Sequence, residues 1–189
     1  MEPLIVALVV AAVVLLLPTV WFIATYNRFV RLRQHIRESW SGIDVELKRR
    51  YDLIPNLVET VRGYARHERE TLELVTRLRD QAMTPHGSAS EQAVDESALA
   101  LGLKRLFALV EAYPALKADT QFLALQKELA NTEDRIAAAR RFFNANVREL
   151  NQLRETFPTN LVGAMMGVAP ASFFELSSEA ERVVPRVSV

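Results

Sequence analysis

From Pro3 to Asn27 the chain carries no charge, and Leu4 to Ala24 is a nearly unbroken apolar run. Twenty-one residues at a rise of about 1.5 Å span about 31 Å, enough to cross a hydrocarbon core of roughly 30 Å. A buried core helix would show a polar face, and none interrupts this run. A cleaved signal peptide would have a basic start and a small-residue cleavage site. Here the only charge before the run is Glu2, and the run closes on Trp21, Phe22 and Tyr26. Trp21 and Tyr26 suit a membrane–water interface, which favours an uncleaved anchor over residues 1–27. Pro18 inside the span is tolerable in a membrane helix.

The flanks predict orientation. Arg28, Arg31, Arg33 and Arg37 follow the run and nothing basic precedes it, so the positive-inside rule puts the N-terminus outside and the rest of the chain in the cytoplasm. Arg28, Arg31 and Arg33 are the residues placed for lipid headgroups.

Beyond the anchor, apolar residues recur at helical spacing. Phe29, Leu32, Ile36, Trp40, Ile43 and Leu47 step by three or four, and the stripe resumes after Pro55 with Val58, Val61, Ala65, Leu72 and Val75. A breaker-rich loop follows at Thr84–Ser90. The pattern predicts helices over about 28–52, 55–83, 91–112 and 119–157. Asp52 is placed to cap a new helix at Pro55, which lacks a donor and costs least in a first turn, so a break at Asp52–Pro55 is expected. The stripe stays roughly in phase across the proline, which leaves a single kinked helix as the alternative. Asp119 or Thr120 is placed to cap the last helix. The expected fold is all-α, with a single transmembrane helix followed by an antiparallel up-and-down four-helix bundle over 28–158. The spacing along 119–157 approaches the 3.5 of a coiled coil. The tail, 159–189, holds the apolar stretch "NLVGAMMGV" and is expected to pack on the bundle.

Lys+Arg and Asp+Glu balance at 23 each, so nothing in the charge points to nucleic acid. With no Cys, thiolate metal sites, disulfides and a Cys nucleophile are excluded. The Glu-x-x-His pattern of bundle di-metal sites does not occur. Neither do nucleotide-binding loops or hydrolase motifs. The expectation is no catalytic residue, no metal and no cofactor.

The stretches "YNRFVRLR", "WSGIDVELKRRYDLIPNLVETVRGYARHE", "KELANTEDRIAAARRFFN" and "FPTNLVG" resemble the LemA family, over nearly the whole chain from Tyr26 onward. The resemblance implies a bacterial single-span membrane protein with a four-helix cytoplasmic bundle, and no established reaction.

The structural or interaction candidates are Trp40, Asp44, Arg49, Asp52, Pro55, Asn56, Glu68, Glu133, Arg140 and Asn144. Glu68 falls on the apolar stripe between Ala65 and Leu72, and a buried charge needs a partner. Arg140, beside Phe143 on the last helix, is the leading one. Lys48-Arg49-Arg50 is expected as a solvated helix end. The leading function is a membrane-anchored scaffold or adaptor, with the bilayer and other membrane proteins or further copies of the chain as partners. A ligand binder or enzyme with a site in the bundle is the rival. A membrane-remodelling or envelope-stress role for the apolar tail is the third reading.

Overall fold

The computed structural model describes residues 2–177, and every regular element among them is helical. The first helix, α1, runs Glu2–Tyr64. Then come α2 (Arg69–Ala82), α3 (Ala89–Val110), the single turn α4 (Pro114–Lys117), α5 (Thr120–Glu155) and α6 (Thr159–Met165). The expected all-α class with a long apolar N-terminal helix is what the chain adopts. The part of the tail beyond Ser177 lies outside the described residues.

The expected break at Asp52–Pro55 does not occur: α1 continues for nine residues past Pro55 and stops at Tyr64. Asp52 is exposed in mid-helix rather than at a cap. The proline removes one bond, the one that N–H of residue 55 would donate to the carbonyl of Tyr51. That carbonyl is not left alone, because Nε of Arg79 on α2 donates to it at 3.1 Å. The stripe also stays buried across the proline, through Ile54, Leu57, Val58 and Val61. A long-range donor and continuous packing together outweigh the local loss. Arg79→Leu is therefore expected to cost about 1–3 kcal/mol, the penalty of an orphaned buried carbonyl. In a Pro55→Ala background, where the backbone donor returns, the same change should cost much less. A double-mutant cycle on urea unfolding measures the coupling.

The α1–α2 turn closes with the Glu68 amide donating to the Ala65 carbonyl at 3.1 Å. Helix α3 begins at Ser88, whose hydroxyl accepts from the Glu91 amide, while Glu91 reaches back to the Gly87 amide at 2.9 Å. The Asp119 carboxylate accepts from the Phe122 amide at 2.8 Å, capping α5. That bond, with a second from Tyr64, holds the Asp119 carboxyl below its ordinary range.

The chain divides into two compact units, both built on α1 and α5. One takes α1 up to Glu38 together with Ala145–Ala171, and the other takes Ser39–Asn144 and the tail from Ser172. In the first, Phe29, Leu32, Leu150, Leu153, Val162 and Val168 form the core, with Phe22, Ile36, Met166 and Ala171 packed against it. Gly163 is where α6 comes closest, since a Cβ there would stand 3.0 Å from the Phe29 ring.

In the second unit α1 and α5 run antiparallel in one register. Trp40 meets Phe143, Arg50 meets Glu133 and Tyr64 meets Asp119. Each advance along α1 is matched by an equal retreat along α5. Helices α2 and α3 pack closely enough that a Cβ on Gly102 would stand 2.7 Å from Leu78 Cδ1.

Candidate functional site

The second unit holds a charged cluster at its centre. Arg50 lies three residues beyond Leu47 and four before Ile54, so helical spacing turns it to the buried face of α1. It is 1% exposed. Its guanidinium meets the carboxylate of Glu96, also 1% exposed, and donates to Glu133 Oε1 at 2.9 Å and Oε2 at 3.2 Å. Glu96 comes from α3, where Gln92, Glu96, Leu99 and Leu103 share one inward face. One cation thus joins three helices.

Tyr51, the next residue of α1, adds its hydroxyl to the same cluster and donates to Glu96. Gln92 Nε2 donates to Glu96 Oε1 at 2.8 Å and to the Ala82 carbonyl at the end of α2 at 2.9 Å. Every helix of this unit longer than one turn is tied to the cluster. A permanently charged, fork-shaped donor suits two carboxylates arriving from different directions. Such a cluster fixes helix register more than it adds stability.

Burial pushes the Tyr51 phenol up to about 12, the nearby Arg50 charge opposing this only in part. The unfolded chain loses that proton near pH 10 while the folded chain still holds it, so the folded state binds more protons between about 10 and 12. Stability is therefore expected to fall as pH rises through that window, by up to about 2–3 kcal/mol. Tyr51→Phe should flatten this fall, from a neutral-pH stability lowered by the loss of a donor to buried Glu96. Thermal melts in detergent micelles between pH 8 and 11, with all other conditions held fixed, check the sign.

The cluster was only partly visible in advance. Glu133 is in it. Arg50 was expected as part of a solvated helix end, which fails because α1 does not end there. The pair expected between Glu68 and Arg140 is replaced as well. Glu68 is half-buried and accepts from the Tyr113 hydroxyl at 3.2 Å. The register of α1 on α5 explains why: Glu68 lies just past Tyr64, whose hydroxyl bonds Asp119 at 2.9 Å. Arg140 lies 21 residues further along α5, about 30 Å away. It is Arg50 and Glu96 that carry the buried charge pairing.

Trp40 packs its ring on Phe143 and Phe174 at centroid distances of 5.3 and 5.7 Å. Asn144 holds the Phe174 backbone from both sides, accepting from its amide at 2.9 Å and donating to its carbonyl at 3.0 Å. Arg49 lies 3.7 Å from Glu46 on the same helix. Asp44, Pro55 and Asn56 are exposed, and Arg140 is half-buried. Asn151, not foreseen, repeats in the first unit the device of Asn144, accepting from and donating to the Ala171 backbone at 2.9 Å each. There Arg154 also donates to the Val168 carbonyl at 3.0 Å.

Of the interface candidates, Trp21, Tyr26 and Arg31 are exposed and Arg33 is partly so. Arg28 pairs with Glu149 at 2.9 Å. Leu4–Leu17 is exposed throughout, and α1 is long and apolar enough to cross a membrane.

Two surface clefts lie along α2. One, of about 550 Å³, is lined by Glu59, Arg62, Gly63, Arg66, Arg69, Leu72 and Glu73. The other, of about 630 Å³, is lined by Arg69, Glu70, Glu73, Leu74, Arg77 and Arg105. Both open to solvent and mix arginine with glutamate. Among the described residues no three His, Asp or Glu side chains converge as a metal-ligand set would.

Known proteins place the chain. It is 28% identical over 192 residues to magnetosome protein MamQ 2 of Paramagnetospirillum magneticum, a match covering 86% of this chain and 71% of that one. It is 27% identical over 162 residues to protein LemA of Metamycoplasma hominis, covering 86% and 74%. Magnetosome protein MamQ of Magnetospirillum gryphiswaldense is 26% identical over 174 residues, covering 79% and 64%. None of these names states a reaction. The LemA family model matches residues 39–189, from the second unit through the tail, and the chain belongs to the LemA family.

Proposed function

We propose that this protein is a membrane-anchored helical scaffold. Its N-terminus lies outside, one span crosses the bacterial cytoplasmic membrane, and the helical body in the cytoplasm meets other membrane proteins or further copies of itself. The observation that carries this is the change of character along α1. The helix is apolar and exposed on every face from Leu4 to Leu17, then shows one buried stripe from Phe29 onward. A soluble helix does not expose an apolar surface of that extent without something to cover it. The arginines after the run supply the orientation.

The scaffold reading is preferred to a ligand-binding one because the interior polar groups pair with each other. Arg50 meets Glu96 and Glu133, Tyr51 and Gln92 both donate to Glu96, and the arginine-rich clefts are open surface. The magnetosome proteins among its relatives are named for a structure rather than for a reaction, which suits a scaffold better than an enzyme.

The chain has no cysteine, so single introduced cysteines report cleanly. In intact cells an impermeant maleimide should label Glu2→Cys, and should label Val94→Cys only after permeabilisation. The reverse pattern would overturn the orientation, and release of the protein by alkaline carbonate would overturn the anchor. Crosslinking in native membranes followed by mass spectrometry should recover repeated, specific partners. Recovery of random neighbours alone would count against the scaffold.

A further inference from the structure

The structure gives the chain a second apolar surface at the membrane end of the first unit. Between Glu155 and Glu175 no residue carries a charge. Within this stretch α6 buries one side. Val162 is 1% exposed, and Gly163 seats against the Phe29 ring. The other side is bare: Phe157 is 75% exposed, Leu161 56% and Met165 76%. A step of four puts Leu161 and Met165 on one face of α6, and the exposed Phe157 precedes the helix.

The level of this face follows from the unit's own contacts. Arg28 meets Glu149, while the His35 backbone carbonyl accepts from Asn146 Nδ2 at 3.4 Å, so α1 and α5 are antiparallel here. From Glu149 to the end of α5 at Glu155 the chain advances six residues, about 9 Å, and the same rise counted back from Arg28 reaches Phe22, inside the last turn of the apolar run. Phe22, at the same level, packs on the core that holds Val162 and Met166. The bare face therefore stands where the span leaves the membrane.

We infer that Phe157, Leu161 and Met165 insert into the bilayer interface as a shallow foot beside the span. The occupant of this face is lipid, because α6 packs at the level of Phe22 and Phe29, where the apolar run of α1 ends. An uncharged segment with aromatic and aliphatic side chains suits the headgroup–acyl boundary. Arg28 and Arg31 stand at the height of anionic headgroups. The foot would fix the tilt and rotation of the span, which length alone leaves open. This inference rests on the anchor reading.

The test uses the full chain in vesicles of phosphatidylcholine and phosphatidylglycerol. Nitroxide labels are placed singly at Val13→Cys, Val94→Cys, Leu161→Cys and Met165→Cys, all exposed positions where a label displaces no core. Collision rates with oxygen and with an aqueous nickel chelate give depth. Labels at 161 and 165 should favour oxygen over the chelate several-fold more than the label at 94, at a shallower depth than the label at 13. Adding Leu161→Glu should move the 165 label back toward water. If 161 and 165 match 94 while 13 is deep, the foot is wrong and the anchor stands. If 13 also matches 94, the anchor reading fails and the foot with it. Labels at 161 and 165 shielded from both reagents would mean that protein, not lipid, covers the face, which also overturns the inference.

Discussion

Arg50→Met is expected to destabilise the folded body by about 3–5 kcal/mol, the range for removing one partner of a buried ion pair. The methionine fits the space left by the arginine stem, so little of the loss comes from packing. Most comes from Glu96. At 1% exposed it has no route to water, and it keeps only Tyr51 and Gln92 as donors. Glu133, with its side chain 22% exposed, turns outward at small cost. The double variant Arg50→Met with Glu96→Leu should recover most of the stability, because an apolar pair of similar volume often matches a buried ion pair. Urea unfolding in detergent micelles, followed by circular dichroism, measures all three. A double variant no better than Arg50→Met alone would show that the charges were not coupled. Recovered stability with loosened side-chain packing would support the register role.

Phe174→Ala is expected to cost a similar amount, about 3–5 kcal/mol, from the lost side chain and the cavity left behind. Phe174 is fully buried and meets Trp40 edge-on, while Trp40 also packs on Phe143. The three rings connect α1, α5 and the tail within one unit. Without the Phe174 ring, the two Asn144 bonds and that of the Ser177 amide to the Ser97 hydroxyl must hold the segment, and each is worth only about 1 kcal/mol net. The tail from Ser172 should then open to limited proteolysis before the helices do. In a Trp21→Phe background, emission from Trp40 should shift toward that of a solvated indole. Unchanged emission and protease resistance would show that the ring is not what seats the tail.

Length, composition and period carry most of what the sequence says plainly. The apolar N-terminal run is plain in the sequence because a charge-free stretch of that length is long enough to cross a membrane. Helical stripes at Phe29, Ile43 and Leu47 and at Phe143, Val147 and Leu150 are visible because burial on one face leaves a period in the chain. The path through Pro55 was not legible from local rules. The donor that offsets the missing bond comes from Arg79, 24 residues away, and only folding brings it there. The same holds for the charged cluster. Arg50 lies in phase with Leu47 and Ile54, and Glu96 in phase with Leu99 and Leu103, so the signal was present. A run of three basic residues, however, reads as a solvated surface unless each is tested against the phase of its own helix. Glu68 shows the reverse error. It is in phase with a stripe, but it falls in the α1–α2 turn, where it accepts from the Tyr113 hydroxyl.

Asn144 and Asn151 grip the backbone of the tail rather than its side chains. A primary amide offers one acceptor and two donors in a plane, the complement of a single peptide unit. Each asparagine therefore selects for an N–H and a C=O at one position and ignores the residue that carries them. Proline is the one residue barred from 171 and 174, since it has no N–H to give. Pro170, one place earlier, breaks no such bond. The backbone bonds that place the tail are thus written in α5, seven residues apart, while the buried Phe174 ring against Trp40 holds its side-chain side in place.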